Sequence, residues 1–253
     1  MKRPALVLLA SCMALACAGG SPASEPSIDM AQPAVLVLSR TLGFRHDSIP
    51  AAVAAVRKLG AARGWRVTAT EDPSTFNDAD LAAYEVVIFL CTTGDVLDDA
   101  QQAALERFVR SGKGFVGVHS ASDTEYDWPW YGALIGAYFE RHPTIQAAKV
   151  FVEKPEHPAA SSLPNPWSRT DEWYAFRSNP RQSVEVLLRL DETSYAPGEA
   201  SMGADHPVAW SHEYDGGRSF YTALGHTAAS YAEPEFLAHL AGGIEWAGKL
   251  QRD

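Results

Sequence analysis

Three histidines follow strand-like runs. His46 comes soon after the apolar run Ala34–Ser39, His119 directly after Gly114–Val118, and His226 after Ser219–Leu224 through Gly225. Near neutral pH an imidazole serves as general base, general acid or metal ligand. Glu172 is the fourth candidate, in Thr170-Asp171-Glu172-Trp173-Tyr174, where two acids stand beside aromatic residues after a Pro-rich loop. A carboxylate packed on rings can have a raised pKa and act as an acid, or it can anchor a metal beside histidines. His46, His119, Glu172 and His226 are therefore the candidate catalytic set. They are also the candidate ligands of a divalent metal such as zinc or manganese, although no ligand-spacing motif demands one. The plain alternatives are packing histidines and a solvated acid pair on a strand edge.

Around these lies a candidate substrate-binding set: Arg45, Ser120, Asp123, Trp173 and Tyr174. Gly117-Val-His119-Ser-Ala121 resembles a nucleophile elbow, a sharp strand-to-helix turn that presents one side chain above a sheet. A histidine occupies the nucleophile's place. Asp123-Thr-Glu-Tyr-Asp127 followed by Trp128-Pro-Trp130 mixes acids and aromatics as sugar-binding surfaces do, and as surface turns and core tryptophans also do. His142-Pro143, His157-Pro158 and His206-Pro207 read as extended turn punctuation. His212 and His239 read as structural. Cys91 closes the apolar run Val86–Leu90 and reads as a buried strand-end thiol. No HExxH, CxxC, GxSxG or phosphate-cradling glycine loop is present, which excludes several common enzyme classes.

The elements that position these residues are legible from periodicity. Ala34–Ser39, Trp65–Thr70, Tyr84–Cys91 and Gly114–Val118 are strands, and amphipathic helices run from Ser48 to about Ala62 and from Asp98 to Arg110. This βαβαβ alternation predicts a flavodoxin-like, doubly wound, mostly parallel sheet with helices on both faces and an added β-hairpin. In such a sheet, ligands bind outside the carboxyl ends of the strands. His46 and His119 fall there by topology alone. His226 joins them only if Ser219–Leu224 runs parallel to the first four strands. The second half reads as a helix over Trp128–Tyr138, strands over Thr144–Lys154 and Val184–Leu190, a hairpin around a Gly-Gly turn, and a helix over Glu235–Leu250. Two long irregular stretches, Pro155–Arg169 and Glu192–His206, are of the kind that carries function or covers a site.

With 253 residues and a formal charge of −10, the chain is large enough for a full core. It has no Lys/Arg run and lacks the counterion-release term that drives nucleic-acid binding. Lys2 and Arg3, the apolar stretch Ala5–Ala16 and the small residues to Ser24 read as a bacterial export signal over residues 1–24. Leu9-Ala10-Ser11-Cys12 and Ala14-Leu15-Ala16-Cys17 both resemble a lipobox, and plain secretion with cleavage near Ser24 is the alternative. Residues 25–32 read as a flexible tether and 33–250 as one domain. The expected location is the periplasm or the outer membrane, with membrane contact only through a lipid anchor.

Five pieces accumulate in order: Gly43-Phe-Arg-His46-Asp-Ser-Ile49, Gly117-Val-His119-Ser-Ala121, Trp167-Ser-Arg-Thr-Asp171-Glu-Trp-Tyr174, Pro207-Val-Ala-Trp-Ser-His-Glu-Tyr214 and Gly217-Arg-Ser-Phe-Tyr-Thr-Ala-Leu-Gly-His226-Thr. In this order they resemble the trehalose-utilisation, ThuA-like family. The resemblance implies a fold similar to class I glutamine amidotransferases, with His119 where those enzymes carry their cysteine, so glutamine hydrolysis is not expected. It also implies a link to sugar breakdown, particularly of glycosides oxidised to 3-keto forms. The leading expectation is an enzyme that cleaves or isomerises a keto-glycoside by His/Glu acid-base or metal-assisted chemistry. The competing one is a non-catalytic sugar-binding lipoprotein serving a partner enzyme. A hydrolase of small esters or amides is disfavoured by the missing nucleophile.

Overall fold

The computed structural model describes residues 32–250, together with Met1. The export segment, Cys12, Cys17 and the tether up to residue 31 lie outside the described residues. Among the described residues no helix is long and apolar enough to cross a membrane.

The first half alternates strand and helix: β1 (Ala34–Leu38), α1 (Ile49–Arg63), β2 (Arg66–Thr70), α2 (Asp78–Leu81), β3 (Val86–Leu90), α3 (Asp99–Arg110) and β4 (Gly114–Val118). β1, β3 and β4 are buried along their whole length, which is why they read as continuous apolar runs. Pro50 opens α1, and Gly64 at φ 75° closes it with its N–H on the Gly60 carbonyl. Asp98 and Gln101 form a reciprocal capping box at the start of α3.

The second half comprises α4 (Pro129–Ile135), β5 (Phe139–Arg141), β6 (Gln146–Val152), β7 (Trp167–Asp171), β8 (Ala175–Phe176), β9 (Glu185–Asp191), β10 (His206–Tyr214), β11 (Gly217–Thr222) and α5 (Pro234–Gly248). Nine strands form one sheet in the order β2-β1-β3-β4-β11-β10-β9-β6-β7. The joins from β2 to β11 are parallel, and those from β11 to β7 are antiparallel. β11 therefore runs parallel beside β4, the condition on which the placement of His226 depended. Adjacent residues of β11 face opposite layers. Ser219 Oγ donates to the Leu134 carbonyl of α4, while Phe220 lies where a Cβ on Gly243 of α5 would collide with its ring.

The doubly wound centre is as read from periodicity, and three details differ. The hairpin turns at Asp215-Gly216, both at positive φ, so Gly217 already pairs with Tyr214. The helix expected over Trp128–Tyr138 stops at Ile135, because Gly136 at φ 91° sits against the Trp210 indole, where no side chain fits. The stretch read as irregular up to Arg169 ends in β7, whose alternating burial places Trp167, Arg169 and Asp171 inward. Charges on the inner face of a short strand hide its apolar alternation.

β7 lies four places from β11. On a flat sheet that is about 19 Å at ~4.8 Å per step, yet Asp171 Oδ2 is 2.9 Å from the Gly225 amide that follows β11. The antiparallel half therefore curls back. Its outer strand packs on α5, with the Arg169 guanidinium 5.0 Å from the Phe236 ring centroid.

His239 of α5 is sealed within this packing, with Nδ1 donating to the Ala159 carbonyl and Nε2 facing Thr222 Oγ1. Burial pushes it down to about 3 from 6.5, and burial pushes His157 down to about 4. Both stay neutral in the fold while the unfolded chain protonates near 6.5. Stability is therefore full above pH 6.5 and falls as pH drops towards 4, by about 1.4 kcal/mol per pH unit for each histidine. Urea unfolding midpoints measured from pH 7 to 4 should follow this slope, and His239→Gln should make it shallower. A flat profile would contradict it.

Candidate functional site

Each candidate side chain reaches the site from the end of a strand. His46 comes from the β1–α1 loop and His119 from the residue after β4. His226 lies just beyond β11, and Glu172 directly follows β7. His119 has φ 52°, a left-handed conformation for a residue with a side chain. That is the geometry of an elbow, and its cost of about 1–3 kcal/mol is sustained by surrounding packing. Gly117, two residues earlier, permits the turn, since a Cβ there would lie 2.3 Å from Ile135 Cδ1.

One ligand atom from each of His46, His119, Glu172 and His226 lies within 4.8 Å of all the others. The three imidazole centroids are 4.7, 5.1 and 5.0 Å apart, nearly edge to face. His119 Nδ1 is 2.7 Å from the Ala223 carbonyl, which only accepts, so the hydrogen sits on Nδ1 and a neutral His119 presents a bare Nε2 to the cluster. His226 Nδ1 stands 3.0 Å from that nitrogen and 3.0 Å from Glu172 Oε2.

Burial opposes the charge on Glu172, but contact with His119 and His226 outweighs it and holds the carboxyl well below its usual range. The expectation of a raised pKa is thus reversed, because imidazoles rather than aromatic rings surround its oxygens. Burial, reinforced by the neighbouring imidazoles, pushes His46 down to about 3. Burial acts the same way on His226, yet the hydrogen bond and charge of Glu172, with Asp171, raise it.

Of the expected substrate-binding residues, Ser120 and Tyr174 border this cluster. Ser120 Oγ is 3.3 Å from His46 Nδ1, and the Tyr174 ring lies 4.3 Å from that of His119. The other three are engaged elsewhere. Arg45 pairs with Glu71 at 2.7 Å and lines a separate hollow beside α1. Asp123 accepts from the Tyr126 hydroxyl. Trp173 is fully buried, with its Nε1 donating to the Gln146 carbonyl, so its ring belongs to the core. The acid–aromatic string is internal too. Glu125 caps the Leu97 amide and holds Gln102, while Trp128 stacks on Trp130 and Tyr131. Cys91 is buried with Sγ 3.8 Å from the Tyr231 hydroxyl, and burial pushes its thiol up to about 12, so it is no nucleophile at neutral pH.

Two contributors escaped the sequence reading. His142, taken as turn punctuation, places Nδ1 3.1 Å from Glu172 Oε1 and lies parallel to Tyr174. Asp171 accepts from the amides of Glu172, Gly225 and His226 at 3.0, 2.9 and 3.1 Å, and pairs with Arg169 at 3.0 Å. The available signal was Arg169 and Asp171 at a spacing of two, on one face of a strand. Phe44, exposed, sets its ring 4.8 Å from His46.

A family model described as ThuA, trehalose utilisation, matches residues 34–247. Among solved structures, a ThuA-like protein from Bacteroides uniformis ATCC 8492 is 24% identical with a TM-score of 0.73, over 88% of this chain and 95% of that one. A ThuA-like protein from Parabacteroides merdae ATCC 43184 is 19% identical with a TM-score of 0.71, over 86% and 90%. A β-galactosidase from Rahnella sp. R3 shares the fold at 15% identity and a TM-score of 0.56, over 87% of this chain but 32% of the galactosidase. No curated protein matches the chain.

Removing the Asp171 carboxylate leaves the Arg169 charge without its closest partner and three amides without an acceptor. Asp171→Ala should cost about 3–5 kcal/mol in chemical denaturation. A loss below about 1 kcal/mol would contradict this account of the site's support.

Proposed function

The chain belongs to the ThuA, trehalose-utilisation family, and from that premise we propose that it is an enzyme cleaving 3-keto-glycosides at a His/Glu centre that takes a divalent cation. The observation that carries this reading is the convergence of three imidazoles and one carboxylate within 4.8 Å.

The donor set suits a cation. His119 directs a bare nitrogen inward, His46 is held neutral, and Glu172 is held ionised. A zinc- or manganese-like ion bound by His46, His119, Glu172 and His226 would act as a Lewis acid on a substrate carbonyl. The chain's own groups do the rest. The Ala223 carbonyl fixes the His119 tautomer, Tyr174 packs against that ring, and Asp171 sets the backbone of Glu172 and His226. His142, half-exposed on the free oxygen of Glu172, is placed to hold or move a proton at a bound sugar.

A ketone at C3 acidifies the hydrogen at C2. When a base takes that proton, the C–H electron pair forms the C1–C2 double bond as the glycosidic C1–O bond breaks. The proton then goes to the departing oxygen. Atoms balance without an oxidant. With residues 1–24 read as an export signal, the substrate would be met in the periplasm.

The purified domain should carry one divalent ion per chain and cleave 3-keto-glucosides. EDTA should abolish turnover, and zinc or manganese should restore it. His119→Ala should lower kcat at least about 10³-fold while sugar affinity survives. Full turnover by metal-free protein would remove the cation from the mechanism. Sugar binding without turnover of any 3-keto-glucoside would mark a binding module instead.

A further inference from the structure

Beside the cluster, on the far side of His142, lies a cavity of about 500 Å³, walled by Arg141, His142 and Pro143 on one side and by Pro197, Gly198 and Glu199 on the other. His142 belongs to both sites, since it lines this cleft and contacts Glu172 at 3.1 Å. A ligand occupying the cleft would therefore lie one side chain away from the four converging groups.

The far wall is part of the long stretch Glu192–His206, and it is pinned at both ends. The Gln146 side chain donates to the Ala196 carbonyl at 3.0 Å and accepts from the Ala196 amide at 2.9 Å. Beyond the cleft, the Glu192 carboxylate accepts from Ser201 Oγ and from the amides of Met202 and Gly203. Glu192 also contacts His206 Nδ1 at 2.7 Å, and His206 Nε2 donates to the Tyr174 carbonyl at 2.8 Å. The wall is thus connected through hydrogen bonds to the tyrosine that packs on His119. A preformed wall loses little entropy when a ligand binds.

The lining states what such a ligand is. Arg141 stands between two carboxylates, 3.0 Å from Glu140 and 3.6 Å from Glu199. An anion would meet both glutamates, and a cation would meet the guanidinium. A neutral polyhydroxyl group satisfies all three, donating its hydroxyls to the carboxylates and accepting from the guanidinium. The cleft volume falls within the range of small-molecule sites.

We propose that this cleft is the leaving-group subsite, built for the second sugar of a disaccharide whose 3-keto ring sits at the His/Glu cluster. The inference rests on the proposed glycoside chemistry and narrows its substrate to glycosides with a polyhydroxyl leaving group.

Two probes separate the cleft from the cluster: the 3-keto derivative of methyl glucoside, whose leaving group is methanol, and the 3-keto derivative of trehalose. Arg141 and Glu199 are both exposed, so Arg141→Ala and Glu199→Gln leave the core untouched. For Arg141→Ala the KM for the disaccharide should rise about tenfold, equivalent to ~1.4 kcal/mol, with kcat within about twofold. The KM for the methyl glycoside should not move. Equal weakening of both substrates, or no change for the disaccharide, would overturn the subsite. If wild-type protein turns over neither compound, calorimetric Kd values for the same pair read the same contrast. Selective loss of disaccharide binding then supports the cleft while the catalytic reading falls, and equal binding of both compounds by wild type overturns the cleft.

Discussion

The carboxylate of Asp171, itself fully buried, accepts hydrogen bonds from the amides of Glu172, Gly225 and His226 and pairs with the buried Arg169. These contacts join the ends of two strands that stand four places apart in the sheet. Without the curl that they hold, Glu172 and His226 would sit on distant parts of the molecule. A buried ion pair of this kind gives little net stability, because desolvation offsets most of its attraction. Its contribution here is registry, setting the backbone of two cluster residues in one position. Arg169 is fixed in turn by Ser230 and by the faces of Trp167 and Phe236, which connects the site to the helical layer behind the sheet.

The parallel half follows an older logic of the doubly wound sheet, in which side chains at the carboxyl ends share a crevice. That rule made His46 and His119 legible from strand runs alone, and it made His226 conditional on the direction of β11. Glu172 was legible by residue type and its place after a Pro-rich loop, although the sign of its shift was not. Imidazole partners at the ends of strands four and five places away set that sign, and no local pattern carries them. His142 was illegible for the same reason. A His-Pro pair marks an extended turn, and only the pairing of β5 with β8 brings that turn beside Tyr174 and Glu172. Trp173 and Arg45 show contacts that residue type did not carry. Residue type suggested a sugar contact, while alternation along the chain turned the indole into the core and Glu71 captured the guanidinium.

The likeness to the two ThuA-like structures, at 24% and 19% identity, establishes the architecture. The chemistry has to be argued from side chains, since one fold hosts many reactions. In this chain the side chains divide into three tasks. Four converge on one point, a carboxylate and an arginine behind them hold the backbone, and a hydrogen-bonded loop walls the neighbouring cleft. The long stretch Glu192–His206 contains only two short 3-10 turns, Glu192–Ser194 and Gly198–Ala200, before it enters β10, and the Gln146 and Glu192 side chains tie it down through hydrogen bonds.

The central claim is that three imidazoles and one carboxylate act together on one cation. X-ray absorption on the zinc- or manganese-loaded domain tests it most directly, because imidazole rings leave a multiple-scattering signature that counts them. The account predicts three histidine ligands with an oxygen donor, falling to two in His226→Ala. A spectrum with at most one imidazole, or one unchanged by that substitution, would contradict it.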